Sequence, residues 1–97
     1  MYKKTNSNPS DIQAGQQISI LSEAGFSFLL NDPEELSRFM SVSGYDPTSL
    51  RASIDSHEFD LAILNYFASN EPALLAMCAN KDIQAAEFMK VWHKQNM

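Results

Sequence analysis

Residues 59–68, FDLAILNYFA, decide the fold of this chain, because only Asp60 and Asn65 among them are polar. A surface helix shows one apolar stripe, whereas this segment is apolar around most of its circumference. The segment must therefore be enclosed by the rest of the chain. A buried strand is the alternative, since short apolar runs are ambiguous by periodicity alone. The length of the segment and the helix-start signals before it favour a helix.

Prolines next to acidic or amide residues divide the flanking sequence into further helices. Asp32-Pro33 and Asp46-Pro47 each combine an N-cap residue with a proline at the first helical position, and 69–72 makes a similar break. Gly44 predicts the end of the second helix, because glycine readily adopts the left-handed conformation there. These signals predict helices with short connections.

Two further acidic residues are expected to cap helices. Asp55 followed by Glu58 resembles a capping box before the central segment, and Asp82 is expected to cap the last helix. Most acidic residues of the chain fall at or near such predicted helix starts, where carboxylates bind unpaired amides and oppose the helix dipole. Their abundance therefore has a structural explanation.

The first helix is predicted from Ser10 or Asp11 to about Leu30. Gly15 and Gly25 lie on or near its apolar stripe, although glycine costs about 1 kcal/mol relative to alanine within a helix. Close approach of another helix at both glycines is the expected compensation. Together the patterns predict an all-α fold: a compact irregular or orthogonal bundle of about six short helices around the central helix 59–68.

The domain organisation follows from the same patterns. Residues 1–9 are polar and predict a flexible N-terminal tail, and residues 10–97 predict a single helical domain. The expected structural core consists of large apolar side chains from the predicted helices. Its members are Phe28, Phe39, Leu50, Phe59, Ile63, Tyr66, Phe67 and Leu74.

Net charge and hydropathy limit the classes of partner that we expect for the chain. The formal net charge is -5, and no cluster of lysine and arginine appears, so we expect no nucleic-acid partner. No apolar run approaches the length of a transmembrane helix, so we expect no membrane partner. Cys78 is the only cysteine, which suits a reducing compartment, and the expected location is the cytoplasm.

The residues able to carry chemistry form no recognised motif. His57 and His93 are the only histidines, and neither they nor Cys78 occur at a familiar metal spacing. Cys78 lies on a leucine-rich segment and is expected to be a small buried side chain. We therefore predict no catalytic residue, no metal, no cofactor and no known small-molecule ligand.

Arg38 is the charged residue that stands out, because apolar residues lie on either side of it. Its guanidinium is expected to join two helices through Glu71, Asp60 or carbonyl groups, or alternatively to lie at the centre of a binding groove. Phe88 and Trp92 in the last helix also have two interpretations. They belong to the core, or they lie in a partner's groove.

The chain from Ile18 to Val91 resembles a known family. The resemblance rests on motifs spread through the chain: Arg38-Phe39, Ser43-Gly44-Tyr45-Asp46-Pro47 with Leu50, Phe59 followed by Ile63-Leu64-Asn65-Tyr66-Phe67, and Asn70-Glu71 before Leu74-Leu75. These residues resemble the uncharacterised domain-of-unknown-function family numbered 3572, which is associated with alpha-proteobacteria. The resemblance implies one domain over most of the chain, and no activity, cofactor or partner.

Two functional hypotheses remain at this point. The first is a non-enzymatic protein–protein interaction module that binds a protein partner, or a second copy of the chain, through the first or last helix. Its candidate residues are Arg38, Ile20, Phe26, Leu30, Phe88 and Trp92. The second is a small ligand-binding or enzymatic domain with an interhelical pocket near Arg38, Tyr45, His57 and Cys78.

Overall fold

A computed structural model describes residues 9–96, with side chains described for 15–96. The tail predicted for residues 1–9 lies outside the described residues, except for Pro9, which begins the first helix. The helices are α1 (Pro9–Leu30), α2 (Pro33–Ser43), α3 (Pro47–Ser53), α4 (His57–Ala68), α5 (Glu71–Lys81) and α6 (Ala85–Gln95). The prediction of an all-α bundle of six helices is confirmed for the described part of the chain.

The central helix predicted from the sequence is α4. Its side chains Ile63, Leu64 and Phe67 have no exposed surface, and α1, α2, α5 and α6 all pack against it. Each fully buried side chain of this size contributes roughly 1.5 to 3 kcal/mol to folding. Helix α4 is therefore the element around which the other helices assemble.

The rest of the predicted core surrounds α4. Phe39, Leu50 and Leu74 are buried, whereas Phe28 is half-buried at the margin of the cluster. The phenyl rings of Phe39 and Phe59 meet edge to face, with centroids 6.1 Å apart. This arrangement of aromatic rings adds a specific geometry to the apolar packing.

The contact between α1 and α4 depends on one glycine. A Cβ atom built on Gly25 would lie 2.8 Å from Cγ2 of Ile63 and 2.9 Å from Cε2 of Phe67. The predicted close approach is thus present at Gly25. It is absent at Gly15, where no atom of the described residues lies within 4 Å of the corresponding position, so that half of the prediction is wrong.

The proline-containing caps form as predicted. The Asp32 carboxylate accepts a hydrogen bond from the Glu35 amide at 3.2 Å, and the Asp46 carboxylate accepts one from the Ser49 amide at 2.8 Å. Gly44 ends α2 with a φ of 83°, in the left-handed conformation. These bonds satisfy amides that have no partner inside the helix.

The other two predicted caps are wrong. Helix α4 is capped by Ser56, whose hydroxyl accepts a hydrogen bond from the Phe59 amide at 3.0 Å, while Asp55 has a φ of 79°. Asp82 ends α5, with a φ of 57°, and does not begin α6. Aspartate tolerates the left-handed conformation as well as serving as an N-cap, so its presence alone does not distinguish a helix start from a turn.

Candidate functional site

Most of the candidate interaction residues on α1 and α6 belong to the packing of the bundle. Phe88 has no exposed surface, so in this structure it is a core residue and not a residue that a partner can contact. Phe26 is half-buried, with its ring centroid 5.1 Å from that of Phe59. Ile20 and Leu30 are exposed, but they lie ten positions apart on α1 and form no continuous patch.

Trp92 connects α6 to α4 through a polar contact. Its indole N–H donates a hydrogen bond to Oδ1 of Asn65 at 2.8 Å, and its ring is half-buried. This hydrogen bond holds the side-chain amide of Asn65 in one orientation. It also leaves the amide nitrogen of Asn65 without a partner among residues 15–96.

Arg38 makes a contact that differs from the three expected ones. Its Nη2 donates to Oε1 of Glu35 at 2.9 Å, one turn away on the same helix, rather than to Glu71, Asp60 or a helix-end carbonyl. The Glu35 side chain is only 11% exposed, whereas that of Arg38 is 58% exposed. Arg38 therefore neutralises a nearly buried carboxylate and keeps much of its guanidinium in contact with solvent.

A chain of hydrogen bonds leads from Glu35 across to α4 and α5. The Tyr66 hydroxyl donates to Oε2 of Glu35, and Nδ2 of Asn70 donates to the Tyr66 oxygen at 3.4 Å. Arg38 lowers the pKa of Glu35 below its ordinary value, and burial followed by the Glu35 carboxylate raises the pKa of Tyr66. Glu35 is therefore ionised and Tyr66 is a neutral donor at neutral pH.

An open groove lies beside this chain of hydrogen bonds, and we call it the α2–α4 groove. Its volume is about 380 Å³, and its walls come from the end of α2, the second half of α4 and the start of α5. Val42 forms one apolar rim and is 75% exposed. The lining residues are Val42, Ser43, Ala62, Asn65, Tyr66, Ser69 and Asn70.

The polar groups of the α2–α4 groove suit binding better than catalysis. The Ser43 hydroxyl donates to the Phe39 carbonyl at 2.6 Å, and a carbonyl oxygen is not a general base. The Tyr66 hydroxyl donates to the Glu35 carboxylate, which is a weak base because Arg38 lowers its pKa. Asn70 is the N-cap residue of α5 but makes no side-chain cap bond. The amides of Asn65 and Asn70 thus present a donor and an acceptor at the groove.

The alternative pocket near Arg38, Tyr45, His57 and Cys78 is not the site that the structure forms. None of the four residues lines the α2–α4 groove. Cys78 is buried and burial raises the pKa of its thiol, whereas His57 is exposed at the start of α4. The ring of Tyr45 packs against Phe39, with centroids 6.0 Å apart. Among the described residues, Tyr45 and Cys78 thus contribute to packing, and none of these contacts joins the four side chains to one another.

Sequence reasoning missed most residues of the groove. Asn65 offered a signal, because a polar residue inside an otherwise apolar helix marks the position that faces out of the core. The spacing of Glu35 and Arg38, three positions apart, is typical of a pair on one helix face. Nothing in the sequence showed that Tyr66 and Asn70 would extend this pair across two other helices.

The described residues form neither a metal-binding group nor a membrane-spanning helix. Among the described residues, no group of three or more histidine, cysteine, aspartate or glutamate side chains is placed to hold a metal ion. No helix within residues 9–96 has both the length and the hydropathy of a membrane-spanning segment.

The fold and the groove define a small all-α domain with an amide-lined surface groove. A family model described as "Protein of unknown function (DUF3572)" matches residues 16–95, which is most of the chain. The chain therefore belongs to this family, as the resemblance predicted. No curated protein and no solved structure matches it.

Proposed function

We propose that this protein is a non-enzymatic interaction module that binds an extended segment of a protein partner in the α2–α4 groove. The observation that carries the proposal is the combination of an exposed apolar rim at Val42 with two asparagine amides held by neighbouring side chains. The proposal keeps the interaction module expected from the sequence. It moves the binding surface from α1 and α6 to α2, α4 and α5.

The arrangement of polar groups favours a peptide as the occupant. A peptide backbone offers one donor and one acceptor at each residue, and both must be satisfied when water is displaced. Asn65 presents its amide nitrogen and Asn70 its amide oxygen, and both residues line the groove. An aliphatic side chain of the bound segment would lie between Val42 and Ala62.

The orientation of the amides is fixed before any partner arrives. Trp92 holds Asn65, while Tyr66 holds Asn70 and is itself held by Glu35. Groups that are already ordered lose less conformational entropy on binding, so a short segment can bind with useful affinity. This is the role that we assign to the buried Glu35 carboxylate and its partner Arg38.

A small uncharged ligand is the second candidate, and the volume of the groove favours it. About 380 Å³ falls within the usual range of roughly 300 to 1,000 Å³ for small-molecule sites. The location differs from the pocket near Arg38, Tyr45, His57 and Cys78 that the sequence suggested. A fragment screen by NMR tests this candidate, with shifts at Asn65 and Asn70 as the expected result.

Site-specific photo-crosslinking tests the proposed function. A benzophenone amino acid is placed at position 42, at the groove, or at position 75 on α5, because Val42 and Leu75 are both exposed aliphatic residues. We expect a discrete crosslinked species from position 42 and not from position 75. Mass spectrometry then identifies the crosslinked peptide, and a species with twice the mass of the chain identifies a homodimer.

A matched pair of variants locates the binding surface. Ser69→Lys places a long side chain in the groove, and lysine is favourable near the C-terminus of a helix. We expect it to abolish the crosslink from position 42. Ala79→Lys, at an exposed position on α5, is expected to leave the crosslink unchanged. Equal crosslinking from positions 42 and 75, or none from position 42, would contradict the proposed function.

A further inference from the structure

A second hollow lies between α1 and the segment that leads into α4, at the opposite end of α4 from the α2–α4 groove. Its volume is about 150 Å³, and we call it the acidic hollow. Both carboxylates and apolar side chains line it. The lining residues are Ser19, Ser22, Glu23, Phe26, Ile54, Asp55, Phe59 and Asp60.

The carboxylates of the acidic hollow form no ion pair with the side chains of residues 15–96. Within residues 15–96, the ion pairs are Arg38 with Glu35 and Lys90 with Glu87, and neither pair includes a residue of the hollow. The N-terminus of α4 offers partial positive charge, but Ser56 already caps it. The hollow therefore presents several carboxylates that attract a cation.

Ser22 supplies an independent indication of a ligand. Ser22 lines the acidic hollow and is only 2% exposed. Its hydroxyl makes no hydrogen bond with any residue in 15–96. Buried hydroxyl groups nearly always have a hydrogen-bond partner in folded proteins. A buried hydroxyl without one at a cavity wall indicates a polar group that enters from outside.

The spacing of the carboxylates favours an organic cation over a metal ion. A metal ion needs ligands that converge on one point, and the carboxylates of Glu23, Asp55 and Asp60 are not grouped in that way within the described residues. Phe26, Ile54 and Phe59 supply apolar surface between them. An aliphatic chain that ends in an ammonium group matches both features.

We propose that the acidic hollow binds a primary alkylammonium group, of the kind that a lysine side chain carries. A hollow of about 150 Å³ is large enough to hold several water-sized groups, and a lysine side chain consists of four methylene groups and an ammonium group. The methylene groups pack against the two phenyl rings. The ammonium group donates to Ser22 and to the surrounding carboxylates.

NMR titration of the isotope-labelled full chain tests this proposal. The probes are Nα-acetyl-lysine N-methylamide, the free diamine cadaverine, and the uncharged analogue Nα-acetyl-norleucine N-methylamide. We expect the first two to shift the resonances of 19–26 and 54–60, and the norleucine amide to leave them in place. Stronger binding of the lysine amide than of cadaverine would identify a peptide as the source of the ammonium group, and the reverse would identify a free amine.

Isosteric variants show whether the hollow itself is responsible. Asp60→Asn combined with Asp55→Asn is expected to weaken binding of the lysine amide about tenfold or more. Asparagine tolerates the left-handed backbone at position 55, so the double variant keeps the turn. Ser22→Ala is also expected to weaken binding. Glu71→Gln, which removes an exposed carboxylate from α5, is expected to leave binding unchanged.

Three results of these titrations would overturn the proposal. Equal shifts with the norleucine amide would show that the ammonium group is not recognised. Equal weakening by Glu71→Gln and by the double variant would show only general attraction to an acidic protein. Unchanged binding in Ser22→Ala would remove the hydroxyl from the site and leave no second indication of a ligand, so that result would also overturn the proposal.

Discussion

The two sides of α4 differ in the way they meet their neighbours. On the α1 side, Gly25 allows the α1 backbone to approach the fully buried side chains of Ile63 and Phe67, and the contact is apolar. On the α2 side, Tyr66 forms a hydrogen bond with Glu35, and an open groove lies alongside. One helix thus supplies an apolar packing surface at Gly25 and a polar surface beside an open groove. Substitutions on the first should change stability, and those at the groove rim should change binding.

The largest effect is expected at the centre of the apolar side. Phe67 has no exposed surface and packs its ring against those of Phe28, Tyr66 and Phe88. Phe67→Ala should lower the free energy of unfolding by about 3 to 5 kcal/mol, from a total of about 5 to 15, because it leaves a cavity that the core cannot fill. Urea denaturation followed by circular dichroism measures this loss.

An exposed residue of the same helix provides the control. His57 lies in the first turn of α4 and is exposed, so His57→Ala should change the free energy of unfolding by no more than about 0.5 kcal/mol. Equal denaturation midpoints for Phe67→Ala and His57→Ala would show that α4 is not enclosed on its α1 side.

The next largest effect on stability is expected at Gly25 of α1, and Gly15 provides the comparison. Gly25→Ala places a Cβ atom 2.8 Å from Cγ2 of Ile63, so it should cost about 1 to 3 kcal/mol through overpacking. Gly15→Ala meets no described atom within 4 Å, so it should stabilise the helix by about 1 kcal/mol. Thermal unfolding of both variants gives the comparison. Stabilisation by both would mean that α1 and α4 are not in close contact at Gly25.

On the polar side, Tyr66→Phe should cost about 1 to 2 kcal/mol, because it removes a donor to the nearly buried Glu35 carboxylate. The cost should depend on pH. The pKa of Glu35 is lower in the folded protein than its ordinary value near 4.5, so its stabilising contribution is present above that value. This contribution is lost as the pH falls through the lowered pKa.

Tyr66 predicts the opposite dependence at alkaline pH. Its pKa is raised above the ordinary value of 10.0 by burial and by the Glu35 carboxylate, so the neutral phenol stabilises the fold below pH 10.0. This stabilisation is lost as the pH rises through the raised pKa. Free energies of unfolding for the wild type and Tyr66→Phe across acid and alkaline pH measure both trends. A difference that stays constant with pH would contradict the contact between Tyr66 and Glu35.

The smallest stability effect is expected at the rim of the groove. Val42 is 75% exposed, so Val42→Glu should change the free energy of unfolding by less than about 0.5 kcal/mol. The same substitution should abolish binding of an apolar peptide side chain, because it places a charge on the apolar rim. Isothermal calorimetry with the partner peptide identified by crosslinking measures the loss. Unchanged affinity would exclude Val42 from the binding surface.

The sequence predicted the core of the bundle better than the groove that we propose as its binding surface. Pro33 and Pro47 mark helix starts reliably because the fixed φ of proline suits the first turn, and both helices begin there. The helix starts predicted at Asp55 and Asp82 were wrong because aspartate also occupies left-handed turns, as both residues do here. Helix boundaries could therefore be predicted from the sequence only at residue types, such as proline, that favour a single position in a helix.

The groove was beyond prediction because it depends on how three helices meet. Val42 lies far from Asn65 and Asn70 in the chain, and none of the three belongs to a motif with a known mechanism. Exposure of Asn65 follows from the pattern of α4, but its contact with Trp92 requires the position of α6. Such a site appears only when the packing is known.

Amide hydrogen exchange of the full chain most directly tests the central claim that α4 is enclosed and stabilises the whole domain. We predict that the amides of Ile63, Leu64 and Phe67 exchange only through global unfolding. Their rates should then rise in Phe67→Ala in proportion to its loss of stability, and remain unchanged in Val42→Glu. Rapid exchange of these amides that does not respond to Phe67→Ala would contradict the claim.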